Sequence, residues 1–223
     1  MSKITISRLF HAALSLPKTI YFNFITFGIK GYKLPVYISH NTHIASIHFN
    51  TIKIEGEIKP FMILIGFGGS VGVVPNSRSE ICLEKNSLLV FKGKAQFAAG
   101  CGIRNSGTIV LGKNFGMNRN SFLSCYRSVV IGDNFKAGWN CAVRDSDGHS
   151  IIKGGEKQKL YSPVHIGNNV WLCSFSHILK GVTLSDHTVV AYRSLVTKPF
   201  YEGHVLLGGQ PAKIIDNDID WEY

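Results

Sequence analysis

Three side chains within five positions carry the chemistry most open to reading in this chain. They are Asp145, Asp147 and His149, in the stretch "RDSDGHSII". Histidine ionises near neutrality, so a positioned imidazole can take a proton from an attacking hydroxyl. A carboxylate on its other ring nitrogen would fix the tautomer and steady the imidazolium. Both aspartates are within reach by sequence, and spacing does not choose between them. Taken alone, a histidine beside two acids in a loop is more often a solvated turn.

The stretch falls where a regular pattern stops. Units beginning at Phe91, Leu111 and Ile131 repeat with a period of 20. Within them runs a period of six: Leu111, Met117, Leu123, then Ile131, Ala137, Val143. The same step resumes at Ile166, Leu172, Ile178, Leu184, Val190 and Val196. Four residues after such positions come smaller side chains, among them Cys101, Ser121, Cys141, Ser176, Val182, Thr188 and Ser194. Neither a helix nor a hairpin sheet has this period. A short strand plus a turn does, and three such units close one triangular coil of a parallel β-solenoid. Stacked coils then bury one continuous core. Gly112, Gly132, Gly138, Gly167 and Gly181 are expected at tight corners. Between Val143 and Ile166 roughly 17 residues are extruded, and loops on rigid scaffolds commonly carry function.

Composition bounds the rest. The chain has 223 residues and a formal net charge of +10. Four of its 14 acids lie in the last ten residues, "IIDNDIDWEY". The remaining surface is strongly basic and suits an anionic partner such as a phosphorylated cofactor or acidic lipid. No run of five basic residues indicates a nucleic-acid tail. Five scattered cysteines form neither a disulfide framework nor a zinc site, and a reducing cytoplasm is the simplest compartment.

The apolar N-terminal stretch is interrupted by Pro17 and Lys18, and neither half reaches the ~20 residues of a membrane span. No signal peptide is read there. The expectation is a short helix over Ile4–Ser15 and a strand over Thr19–Phe27 that cap the core, with peripheral membrane association through the N-terminus as the alternative. The cytoplasmic reading then extends to the inner face of the membrane. The domain reading is a capping segment over 1–50, a solenoid over 51–215 with its loop at 144–165, and an acidic tail over 216–223. Early coils are irregular, with strands near Ile52–Ile58 and Met62–Ile65.

The pieces "IGNNVW", "ILKGV", "SLVTK" and "GGQPAK", in that order, resemble the hexapeptide-repeat acyltransferases. "DSDGH" ahead of the loop resembles the branch that acetylates sugars of surface polysaccharides. The resemblance covers residues 89–215 and implies an all-β, left-handed parallel β-helix. It implies an acetyl-CoA-dependent O-acetyltransferase of a sugar hydroxyl, with His149 as general base, no metal, and a closed homotrimer. Carried over by motif, Trp171, Ser174, Tyr192, Thr197, Lys198 and Lys213 would bind acetyl-CoA, and Asn118 would contact the acceptor. The chain departs from the family's small residues at Ala191-Tyr192-Arg193, and Cys173 stands where a corner glycine is usual.

Other readings are an N-acetyltransferase of sugar nucleotides, a serine-type acetyltransferase, and a non-catalytic β-helix binding module. A γ-type carbonic anhydrase needs three convergent histidines; His43 and His48 have no third partner at a coil-related spacing. "GFGGSVG", Gly66–Gly72, lacks the sixth-position glycine and the βαβ context of a dinucleotide fingerprint.

Overall fold

A computed structural model describes residues 3–75 and 78–222. The chain winds into a three-sided parallel β-helix. Successive short strands fall in turn on three sheets, here faces A, B and C. The first coil uses Val36–Ile38 on A, His43–Ser46 on B and Ile52–Ile54 on C. The stack thus begins well before residue 51, at Val36, and its second coil has Ile63–Ile65 on face A.

The period of six is the register of the stack. On face A, Phe97, Met117, Ala137, Leu172, Val190 and Leu207 pair coil to coil. On face B the same holds for Leu123, Val143, Ile178 and Val196, and on face C for Leu111, Ile131, Ile166 and Leu184. All these side chains are buried in one core. The small positions are buried too, and they hydrogen-bond along the corner: Ser121 Oγ donates to the Gly138 carbonyl (3.0 Å) and accepts from the Cys141 N–H (3.1 Å).

The corners correct one expectation. Of the five glycines singled out, only Gly181 has a positive φ (+76°). Asparagines hold many of the left-handed corners instead, including Asn114, Asn134 and Asn169 at φ 58°, 58° and 53°, and in the later coils Phe175, His187 and Arg193 take this conformation. Asparagine tolerates this region and bonds locally. Here the three asparagines form a ladder, Asn114 Nδ2 to Asn134 Oδ1 (3.0 Å) and Asn134 Nδ2 to Asn169 Oδ1 (2.9 Å). Gly112 and Gly132 serve a different need. A Cβ on Gly112 would stand 2.3 Å from the carbonyl carbon of Gly132, so the coil spacing leaves no room for one.

The N-terminus also differs from expectation. Thr19–Phe27 is not a strand; one helix, α1, runs through Lys3–Phe27 and contains Pro17. Its β-prone composition is overridden by tertiary contacts. Ser15, Thr19, Asn23 and Thr26 fall on one helical face and are fully buried. Asn23 donates to the Val36 carbonyl (2.6 Å) and accepts from the Val36 N–H (3.1 Å). Thr19 Oγ1 accepts from the Ile38 N–H (3.1 Å) and donates to the Ile38 carbonyl (3.2 Å). The helix therefore satisfies the free edge of the first face A strand, which would otherwise invite pairing with another chain. At the other end, a hairpin of Val205–Gly209 and Ala212–Asn217 extends face A.

Candidate active site

The loop between Arg144 and Val164 leaves the corner between faces B and C as a short arm. Its middle is an antiparallel hairpin, Ile152–Lys153 with Glu156–Lys157, turned at Gly154-Gly155, both with positive φ. The base of the arm is firmly held. Ser162 N–H donates to the Asp145 carbonyl (2.9 Å), and Asp147 N–H to the Leu160 carbonyl (3.1 Å). Arg127 stacks over the Tyr161 ring at 4.6 Å and donates to its hydroxyl (2.8 Å).

The three residues that open the arm have separate environments. Asp145 is fully buried. Its carboxylate accepts from the N–H groups of Tyr126 (2.8 Å), Arg127 (2.7 Å) and Ser128 (2.9 Å), pinning the corner of the preceding coil. Asp147 pairs with Lys180 at 2.5 Å. His149 stands exposed, hydrogen-bonded to neither aspartate. The structure thus places both acids at the root of the arm, and neither reaches the imidazole.

A groove of about 700 Å³ runs along the other edge of face B, where faces A and B meet. Asn118, Trp171, Ser174 and Tyr192 all line it, so four of the motif residues converge. Thr197 and Lys198 do not join them. They follow the strand Leu195–Val196 on face B and share the corner of Asp145 and Lys180, on the arm's edge. Lys213 is exposed on the C-terminal hairpin.

The groove also contains residues that the motifs did not mark. Lys136 lines its floor and donates to the Asn114 carbonyl (3.0 Å); burial lowers the pKa of its ammonium by disfavouring the charged form. Trp139 and Cys173 stand at the corner; burial raises the Cys173 thiol, so it is not a ready thiolate. The Gly66–Gly72 stretch forms one wall through Gly69 and Ser70. Asn118 anchors it, accepting from the Ser70 N–H (2.9 Å) and donating to the Ser70 hydroxyl (2.6 Å), while Arg119 Nε donates to the Gly68 carbonyl (3.1 Å).

The acidic tail folds back over the opposite end. Trp221 packs on Trp171 (5.9 Å between centroids), and its indole N–H donates to the Asn169 carbonyl (2.6 Å). His187 links Asp220 (3.0 Å) to Asn169 (3.1 Å), and this hydrogen bond holds the Asp220 carboxyl below its usual range. A lone tryptophan among four acids was the available signal for this contact.

Four further histidines have side-chain partners. His43 bonds Glu80 (3.0 Å) and His48 bonds Ser46 (3.1 Å). His187 and His204 lie near Asp220, but their rings stack at 4.3 Å and 12°, which does not converge their lone pairs on one ion.

No protein-family model matches the chain. It is 36% identical over 121 residues to the galactoside O-acetyltransferase of Escherichia coli (strain K12), covering 52% of this chain and 58% of that one. A putative acetyltransferase of Staphylococcus aureus (strain COL) is 36% identical over 121 residues, covering 51% and 59%. The chain thus spans less than two thirds of the length of these relatives. Among solved structures, the polySia-specific acetyltransferase NeuO superposes with a TM-score of 0.57 at 17% identity, covering 84% of each chain. The polysialic acid O-acetyltransferase OatWY gives 0.53 at 20% identity, covering 84% of this chain and 87% of that one. The fold held in common is the left-handed parallel β-helix.

Proposed function

We propose that this relative of the hexapeptide-repeat acetyltransferases moves an acetyl group from acetyl-CoA to a sugar hydroxyl in the assembly of a surface polysaccharide. The observation that carries the reading is the placement of His149. It stands exposed on an arm held at its base by Asp145 and Asp147. The two relatives above are a galactoside O-acetyltransferase and a putative acetyltransferase, which supports acyl transfer.

In this reading acetyl-CoA supplies the activated acetyl carbon. His149 takes the proton of the sugar hydroxyl as the new C–O bond forms and gives it to the departing thiolate as the C–S bond breaks. Asp145 and Asp147 act as positioning residues through the arm rather than as partners of the imidazole. Trp171, Ser174 and Tyr192 hold the pantetheine end in the groove, where Lys136 adds a cation. Asn118 keeps the acceptor side shaped by holding the Gly66–Gly72 wall.

His149, Thr197 and Lys198 lie on one edge of a chain and the groove on another. A closed homotrimer, with its repeated head-to-tail interfaces, would bring the arm edge of one subunit to the groove edge of the next. Lys213 then meets the nucleotide phosphates from the rim. The site is proposed for the cytoplasmic side, where acetyl-CoA is made.

The test is a screen of nucleotide-linked and lipid-linked sugars with acetyl-CoA, following free thiol. With an accepted sugar, His149→Ala is expected to lower turnover ~10²–10⁴-fold while CoA binding stays near wild type. Unchanged turnover would remove His149 from the mechanism. An acetylated amine as the product would replace the hydroxyl acceptor.

A further inference from the structure

Helix α1 is inverted relative to an ordinary surface helix. An amphipathic helix normally turns its apolar stripe to the core and its polar face to water. Here the face toward the solenoid carries Ser15, Thr19, Asn23 and Thr26, held by hydrogen bonds to the sheet edge and to the helix itself. Phe22 is buried in the core, and Phe27 at the end of α1 packs against it.

The opposite face is apolar and open. Phe10, Leu14, Pro17, Tyr21, Phe24 and Ile25 recur at spacings of four, three, four, three and one. That is one continuous helical stripe. Phe10 is 62% exposed and Tyr21 57% exposed. The short helical turn that follows, Gly28–Lys33, adds Ile29 at 80% and Tyr32 at 65%. A continuous exposed apolar face of this kind marks an interaction surface, unlike scattered single residues.

Charge selects the partner. The first 54 residues contain Lys3, Arg8, Lys18, Lys30, Lys33 and Lys53 and no Asp or Glu; the first acid is Glu55. Lys30 and Lys33 are exposed and border Ile29 and Tyr32. Apolar aromatics flanked by cations fit the interface of an anionic bilayer, where acyl boundary and phosphate meet. No helix among the described residues is long and apolar enough to cross a membrane. The geometry therefore points to a helix that lies on the surface.

We infer that α1 and the Gly28–Lys33 turn form an interfacial anchor for an anionic phospholipid bilayer. The helix lies over the first coil, so its outer face is the N-terminal end of the solenoid. In the proposed trimer with parallel axes, three such faces would share one plane and bind together, multiplying a weak contact. This orientation builds on the acetyltransferase reading: it would hold the groove beside lipid-linked glycans. The bilayer contact itself stands on the helix alone.

The test is flotation of the full-length protein with vesicles of phosphatidylcholine alone and with about one third phosphatidylglycerol. Binding is expected to the anionic vesicles, weakening in high salt. Tyr21→Ser with Phe24→Ser should lower it on the order of tenfold or more, and Lys30→Gln with Lys33→Gln should remove the preference for anionic lipid. Unchanged melting temperatures would show that the variants remain folded. If they do not, a Phe24→Trp variant gives a second reading: its emission should shift to the blue on anionic vesicles. No flotation and no blue shift would overturn the anchor. So would loss of self-association in the serine variants with no lipid binding, which would assign the face to another copy. His149→Ala should float like wild type, and acetyl transfer to a soluble acceptor should survive the serine substitutions. Failure of the chemistry and failure of the anchor are thereby separate results.

Discussion

The Asp147 carboxylate stands 2.5 Å from the Lys180 ammonium, two residues before His149 and across one coil of the solenoid. Both side chains are about one quarter exposed, and Lys180 also donates to the Lys159 carbonyl on the returning side of the arm. One cation therefore ties both roots of the arm to the coil beneath it. Lys180→Met should cost only about 1 kcal/mol of stability, as for a partly solvated pair. Its larger effect should be on turnover, with CoA affinity unchanged, and faster proteolysis within residues 150–160 would report the loosened arm. A variant with wild-type turnover and wild-type proteolysis would show that the pair does not position His149.

Asp145 should behave differently. Its buried carboxylate collects three backbone N–H groups, and Asp145→Ala would leave all three without their partner. The expected loss is about 3–5 kcal/mol, visible as a lower denaturation midpoint. Asp145→Asn keeps the shape but presents an NH₂ to N–H donors, so it should recover only part of that loss. A wild-type midpoint for the alanine variant would deny the clamp.

The shared site has its own experiment. His149→Ala lies on the arm edge, and Trp171→Ala with Tyr192→Ala lies on the groove edge. Each variant alone should be nearly inactive. Refolded as a mixture, about a quarter of the intersubunit sites would carry neither defect, and activity should return in that proportion. Mixing that restores nothing would place His149 and the groove of one site on the same chain.

Acid should act through Asp186. Its carboxylate accepts from the Asn168 N–H (2.7 Å) and side-chain amide (3.1 Å), and the backbone bond chiefly holds its pKa below the ordinary value of 3.8. A carboxyl depressed on folding adds stability that is present above its unfolded pKa and lost as pH falls through the folded one. The urea midpoint of wild type should therefore exceed that of Asp186→Asn above pH 3.8. The difference should shrink below pH 3.8 as the native carboxylate protonates. A difference that grows on acidification would reverse the sign.

What the chain determined alone was periodic. A step of six names the inward residues from Leu111 to Val196, because each coil repeats the same environment and one apolar side chain per strand must face the axis. The interruption after Val143 was legible for the same reason, since an extrusion is a break in phase. The residues that open the arm, Asp145, Asp147 and His149, were legible as well.

The tertiary structure decided what lies between distant segments. It made Thr19–Phe27 helical, since Thr19 and Asn23 are needed on the edge of Val36–Ile38, and no local propensity records an edge. It gave many left-handed corners to asparagines and kept Gly112 for lack of space, a distinction set by the next coil. It turned Asp145 inward, away from His149, because three N–H groups at Tyr126–Ser128 point at that spot. It also brought Trp221 to Trp171 and Ser70 to Asn118, pairs 50 and 48 positions apart in sequence. Coils stack by closing the chain through space, so contacts between edges and extrusions depend on where the corners land. The repeat fixes the corners only as types, and the sides they face are settled when the stack closes.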